Sequence, residues 1–468
     1  MPQTSRPLTR IAATQVVAFL ILGEFSSADD VLRRHPQQAG GVRDINPAPG
    51  YSSAQQDFSH CTLHAERGDG SASTLQRFRQ KEGKSRMDAQ QQRSPARTGA
   101  LSAVLRSRRV AGNLLLLAML ATFAACSWSP HPELEAFGGG SGTQEAPYLI
   151  STEKHLRNIN AANTLLDGKH LRLTADIRLS SPWIPIGKGF NSFGGIFDGG
   201  GHTISQLTLN DARCDYAGLF GLLNHCGVIR NLTVETSAEG IAVAHPQASS
   251  GIIAAYNMGQ IENCTARGTV KAGNAVGGIV GTNKGIVRNC TNHAAIDVRE
   301  SGGQAGKLSG GGIAGINTTV DASLKDVLLS GCQNKGRVTV DGSGYVRAGG
   351  IAAYSGSSAR IEDCTNEAAV SASASNDLDG GSEVYAGGVV GEIDSEATAR
   401  RCANRSTVSA TGQAKACAGG VAGQIVGAKL IQCRSKDAVT AKGNPSRRGV
   451  VAASWQLDNT ITNCGKLR

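Results

Sequence analysis

GGIVGTNKGIVRNCTN, residues 277–292, returns as GGIAAYSGSSARIEDCTN at residues 349–366. Each copy opens on two glycines, runs through short Val/Ile/Ala stretches, and closes on a cysteine followed two residues later by asparagine. The phrase recurs along most of the chain. Glycine anchors stand at 251, 277, 311, 349, 387, 419 and 449, and cysteines at 264, 290, 332, 364, 402, 433 and 464. The separations are 13, 13, 21, 15, 15, 14 and 15; the long third unit carries an insertion, NTTVDASLKD, at 317–326. The apolar stretches are too short and too closely bounded by glycine for helices, and their Val/Ile content favours strands. Repeated short strands that cannot bury an inner face alone, but can when stacked, predict an all-β, right-handed parallel β-helix, a solenoid with rungs ~4.8 Å apart.

That geometry assigns the cysteines a place. Cys264, Cys290, Cys332, Cys364, Cys402, Cys433 and Cys464 follow an apolar inward residue, where a small polarizable side chain fills a narrow interior. Stacked in register, their Cβ atoms stay ~4.8 Å apart, beyond the ~3.8 Å of a disulfide, so a structural ladder of buried free thiols is expected. A metal or redox role is the other reading, and the lack of any CxxC weakens it. Cys214 and Cys226 lie off the ladder, and a local bridge between them is left open. Asn292, Asn334, Asn366 and Asn404 sit two residues past their cysteines, as a stacked amide ladder or as a sugar-binding row.

Composition bounds the rest. The chain has 468 residues, with 60 glycines and only 4% aromatics, and no G-X-Y period. Its formal charge of +10 is uneven: residues 1–125 hold 16 Lys and Arg against 9 Asp and Glu, and the remainder 31 against 28. No dense basic cluster interleaved with aromatics follows, so nucleic acid is not an expected partner.

Residues 1–103 read as a low-complexity, disordered leader, consistent with an over-long start at which Met87 is a later candidate. Residues 104–125 read as an export signal: Arg106, Arg108 and Arg109, then the apolar run from Val110, then small residues. The segment Ala124-Ala125-Cys126 resembles a bacterial lipobox, with Phe123 in place of the usual Leu. The resemblance implies lipidation of Cys126 and anchoring to the outer membrane; plain secretion is the alternative, as is a signal at 11–22. Residues 126–142, rich in Pro and Gly, read as a flexible tether.

Residues 143–234 differ from the later repeats. Gly218-Leu219-Phe220-Gly221, with G-T-x-x-x-P-Y at 142–148, W-x-P-I-G at 183–187 and F-D-G-G-G-H-T-I at 197–204, resembles the GLUG-motif bacterial surface proteins. The resemblance implies a parallel β-helix and an adhesin-like role. Read from the residues alone, 151–166 forms a short helix capped by Ser151 or Thr152, with Leu156, Ile159 and Leu165 on its apolar side, laid over the first rung as a cap. Residues 235–468 form the repeat coils. The final coil carries Lys466 and Arg468, which either discourage edge pairing or mark an edge for self-association.

No H-E-x-x-H, nucleophile elbow or P-loop occurs. No cofactor and no metal site is expected. The weak catalytic candidates are Asp211, Arg213 and Asp215, beside Asp198 and His202 of the turn motif. The leading expectation is a surface-displayed protein acting non-enzymatically in adhesion, binding a glycan or protein through loops at 300–308, 317–326 and 371–383. The alternative is a carbohydrate-active β-helix enzyme, either a polysaccharide lyase or a glycoside hydrolase.

Overall fold

A computed structural model describes residues 137–468 except 189–190, 212, 301–305, 320–325, 375–380, 437, 457 and 468. The expected leader, the expected export signal, Cys126 and the first part of the expected tether lie outside the described residues, as do the central parts of the three insertions. The chain is a parallel β-helix. Each regular coil contributes one strand to each of three sheets and, in most coils, two consecutive short strands to a fourth. In chain order these are sheet I (as Tyr345–Gly349), sheet II (Ala352–Gly356), sheet III (Arg360–Glu362) and sheet IV (Thr365–Asn366 with Val370–Ala374). Strands pair in parallel with their counterparts one coil away, so Val346 lies beside Val384 and Ile361 beside Ala399.

The register explains why two glycines and an asparagine travel together. A Cβ added to the second glycine of an anchor would lie 2.2 Å from Asn292 Cγ at Gly278, 2.2 Å from Asn334 at Gly312, 2.4 Å from Asn366 at Gly350 and 2.3 Å from Asn404 at Gly388. The corner between sheets I and II therefore presses on the amide that begins sheet IV. Only glycine leaves room for both. In the coil that carries Ala266, in register with Asn292, Ile252 stands in the second-glycine place, whereas Gly420 is retained against Ser435, whose Oγ a Cβ would meet at 2.3 Å.

The four asparagines are fully buried. Nδ2 of Asn292 donates to Oδ1 of Asn334 at 2.9 Å, Asn334 to Asn366 at 2.8 Å, and Asn366 to Asn404 at 2.8 Å. Each amide also closes a turn on its own strand. In Asn334, Nδ2 donates to Gly336 O at 2.9 Å, and Oδ1 accepts from Gly336 N at 3.2 Å. Every donor and acceptor of the amide is thus satisfied away from water, as burial requires. A second row, not anticipated from the sequence, runs along sheet II: Asn257 donates to Asn283 at 2.8 Å, Asn283 to Asn317 at 2.9 Å, and Asn317 to the Ser355 hydroxyl at 3.1 Å.

The seven ladder cysteines are free thiols. Six are buried and Cys464, in the last coil, is half-buried. Each donates to the carbonyl two residues earlier, as from Cys290 to Arg288 O at 3.1 Å and Cys364 to Glu362 O at 3.2 Å. Burial holds the Cys290 and Cys364 thiols well above the ordinary cysteine value. The residue before each cysteine is left-handed, with φ between 51° and 63° at Asn263, Asn289, Gly331, Asp363, Arg401, Gln432 and Asn463. This residue turns the chain from sheet III into sheet IV. Asn adopts that conformation readily, whereas Arg401 and Gln432 do so at a cost of about 1–2 kcal/mol each.

At the N-terminal end, helix α1 (Glu153–Ala162) is capped by Thr152, whose hydroxyl accepts from His155 N at 3.2 Å, and it buries Leu156, Ile159 and Ala162. The expected apolar face continued to Leu165. Instead the chain tightens after Ala162 into a single 3-10 turn, which leaves Leu165 40% exposed and sends Leu166 into the core. Trp183, Phe193, Phe197 and Phe220 fill the first coils, with Phe220 5.1 Å from Phe193 and 5.4 Å from Phe197 between ring centres. The end of the expected tether is not free: Phe137 is buried against Tyr148, and Gly138 and Gly139 hydrogen-bond to Leu149 within β1 (Tyr148–Ile150).

Two outcomes follow. Asn334→Ala would leave one N–H of Asn292 Nδ2 without an acceptor and Asn366 Oδ1 with only its Ala368 N–H partner; a loss of about 1–3 kcal/mol is expected in urea denaturation. With native protein and a thiol reagent, peptide mapping is expected to find Cys464 modified first among the seven ladder cysteines, the other six reacting only on unfolding.

Candidate functional site

The residues proposed from sequence for acid–base work do not form a shared constellation. Asp211 accepts from Arg213 N at 3.0 Å, closing its own turn, while Asp215 pairs with His245 at 3.3 Å. Asp198 is held by Arg230 at 3.0 Å and by Asn231 and Gly200, and His202 faces Asp176 at 3.2 Å. Each has a local structural partner. Cys214 is a buried free thiol that donates to Tyr216 O, so it is not bridged to Cys226. Among the described residues no group of three or more His, Cys, Asp or Glu side chains is placed to hold a metal ion.

A denser grouping lies on the outer side of sheets I and II. In sheet I, Val346 and Ala348 enter the core, and so do Val384 and Ala386. Alternation in a strand turns the residues between them, Arg347 and Tyr385, to the opposite face. One row there reads Tyr216, Ser249, Ala275, Ser309, Arg347, Tyr385, Cys417. The facing row on sheet II reads Tyr256, Thr282, Ile316, Tyr354, Glu392, Gln424. The chain bends so sharply at the glycine corner that the two rows touch. The Ser249 hydroxyl lies 2.9 Å from that of Thr282, and Arg347 reaches Glu392 of the next coil at 3.1 Å.

Five of the seven tyrosines of the chain sit on this seam: Tyr216, Tyr256, Tyr345, Tyr354 and Tyr385. Three are joined to carboxylates. The Tyr345 hydroxyl donates to Glu392 at 2.9 Å, that of Tyr354 donates to Asp394 at 2.8 Å, and that of Tyr385 donates to Glu383. The Arg347 guanidinium lies 4.6 Å from the centre of the Tyr354 ring and 5.3 Å from that of Tyr345, while Lys415 lies 4.9 Å over Tyr385. The Arg347–Glu392 pair is about nine-tenths buried on both sides, so removing either partner alone would strand a charge, at about 3–5 kcal/mol. Beside it Arg347 Nε, Ser309 Oγ and Gln424 Oε1 are buried with no protein partner.

Burial, reinforced by the neighbouring carboxylates, pushes the Tyr345, Tyr354 and Tyr385 phenols far up. Burial raises Tyr256 to about 12. These phenols stay protonated at neutral pH, where they can donate hydrogen bonds but cannot act as bases. Chemically the seam offers half-exposed ring faces at Tyr345 and Tyr354, flanked by hydroxyls, carboxylates and an amide. That combination suits a polyhydroxylated ring, whose C–H face stacks on an aromatic and whose hydroxyls bond to carboxylates. The residues were individually visible in the sequence. Their meeting was not, since Arg347 and Glu392 are 45 residues apart and belong to different sheets.

No protein-family profile matches the chain. Over 134 residues, 27% of its length, it is 37% identical to a “putative Gly-rich membrane protein” of Evansella cellulosilytica. Over 163 residues, 32% of its length, it is 36% identical to the halomucin of Haloquadratum walsbyi. These matches span only 15% and 2% of those relatives. A crystal structure from Bacteroides ovatus, described as a “putative immunoglobulin A1 protease”, aligns with 70% of this chain and 87% of its own at 23% identity and a TM-score of 0.44.

The raised phenols predict alkaline sensitivity. A tyrosine whose folded pKa lies above the unfolded value of ~10 stabilises the fold fully below pH 10, and this contribution is lost as pH rises through the folded value. Spectrophotometric titration is expected to show Tyr256 ionising near pH 12, with stability falling from pH 10 upward, and Tyr256→Phe is expected to flatten that fall.

Proposed function

We propose that this chain is a surface-displayed β-helix protein that binds a glycan along the tyrosine seam without turning it over. The observation that carries the reading is the pairing of Tyr345, Tyr354 and Tyr385 with Glu392, Asp394 and Glu383 on one outer corner of the solenoid. The partly exposed rings of Tyr345 and Tyr354, set on rigid strands, are a platform for an extended polymer, while Tyr385 is fully buried; protonated phenols locked to carboxylates favour holding a sugar over cleaving it. An exported location is supported by the apolar run before Cys126 and by relatives named as a membrane protein and a halomucin. Attachment to the outer membrane through a lipid on Cys126, and kinship with the GLUG-motif surface proteins through Gly218–Gly221, belong to the same proposal. Intact-mass measurement of the exported protein tests the lipid.

The experiment for the seam combines a glycan array with product analysis. Tyr354→Ala is expected to weaken glycan binding tenfold or more, about 1.4 kcal/mol, while Asp211→Ala and Asp215→Ala leave it unchanged. Because Glu383, Glu392 and Asp394 converge there, a polysaccharide lyase or glycoside hydrolase is the competing reading. Cleaved product from wild type, abolished by Asp394→Asn, would replace the binding role with an enzymatic one.

A further inference from the structure

Residues 429–468 hold eight Lys and Arg against two Asp and Glu, whereas residues 126–428 hold 23 against 26. The body of the solenoid is therefore near neutral, and its positive charge is gathered in one coil. In that coil Lys429, Arg434, Lys436, Lys442, Arg447 and Arg448 are all exposed, and none forms an ion pair among the described residues. They belong to different sides of the coil. Lys429 lies on sheet III, Arg434 and Lys442 on sheet IV, and Arg447 and Arg448 on sheet I. The charge is a collar around this coil.

Arg448 stands in register with Ala418, and through it with Ala386 and Ala348, all three of them buried in the core. In this coil a cation therefore takes the place of a small apolar residue.

We propose that this collar is a docking surface for an acidic polysaccharide, a polymer bearing carboxylates or sulfates. Cations without ion pairs, distributed around a coil, match a flexible polyanion that can follow it, and releasing the polymer's counterions would drive the association. The site is separate from the tyrosine seam and does not depend on the seam's ligand.

The test uses the exported protein with polygalacturonate and with neutral dextran as probes, over a range of salt. Wild type is expected to bind polygalacturonate and not dextran, with affinity falling steeply as salt rises. Replacing Lys429, Lys436, Lys442 and Arg447 by Gln is expected to cut affinity at least tenfold and flatten the salt dependence. Replacing Arg267, Lys271, Lys335 and Arg337 by Gln, the same charge removed from earlier coils, should leave both unchanged; Tyr354→Ala should do so too. Urea denaturation verifies that each variant folds. Equal losses from both sets, unchanged binding by the collar variant, or binding to dextran would overturn the proposal. So would a salt-sensitive dimer in sedimentation that the collar variant abolishes, which would make this face a self-association surface, or selective capture of an acidic protein with no retention of polygalacturonate.

Discussion

The contact between the second glycine of an anchor and the asparagine that begins sheet IV, made at Gly278, Gly312, Gly350 and Gly388, governs these coils. A corner and a strand start that are roughly fifteen residues apart in sequence press together across the interior, with no space for a single methyl group between them. The amide in turn is held by neighbours above and below. One coil's corner is therefore correct only if the adjacent coils are in register. This makes the stacking cooperative, although each coil touches only its nearest neighbours, as in other solenoids. The cysteine fills the remaining space beside the amide, and the left-handed residue before it aims the chain at that space.

Much of this was legible in the sequence because period and contact coincide. The motif names both contacting residues, so alignment of anchors and cysteines yields the strands, the inward column and the amide row of Asn292 through Asn404. The second amide row, Asn257 to Asn317, was overlooked because it carries no cysteine; its only mark is the N-x-G of Asn257-Met258-Gly259 and Asn283-Lys284-Gly285. The apolar spacing of 151–166 marks the helix but not its end, since local periodicity does not reveal a switch to a tighter turn at Asn163.

The seam was illegible for a different reason. A search for recurring carboxylates on one strand finds none, because Glu383 comes from sheet I while Glu392 and Asp394 come from sheet II. Register between coils and the bend at the glycine corner must both be known before these side chains can be seen to meet. The expected loops drew attention away from the strands, yet the side chains with unusual chemistry stand on the rigid part of the fold. Placing them there fixes ring orientation without the ordering cost that a loop site would incur.

The amide row also bears on how such a chain can change in length. Inside the block from Asn292 to Asn404 every coil meets its neighbours through the same pair of side chains, so coils there are interchangeable. Duplicating or losing one whole coil by slippage at the gene level would leave both junctions intact. A partial unit would set a glycine where an amide belongs. Growth by complete turns is thus structurally silent in the middle of the rod and disruptive at either end, where Ala266 and Ser435 interrupt the row.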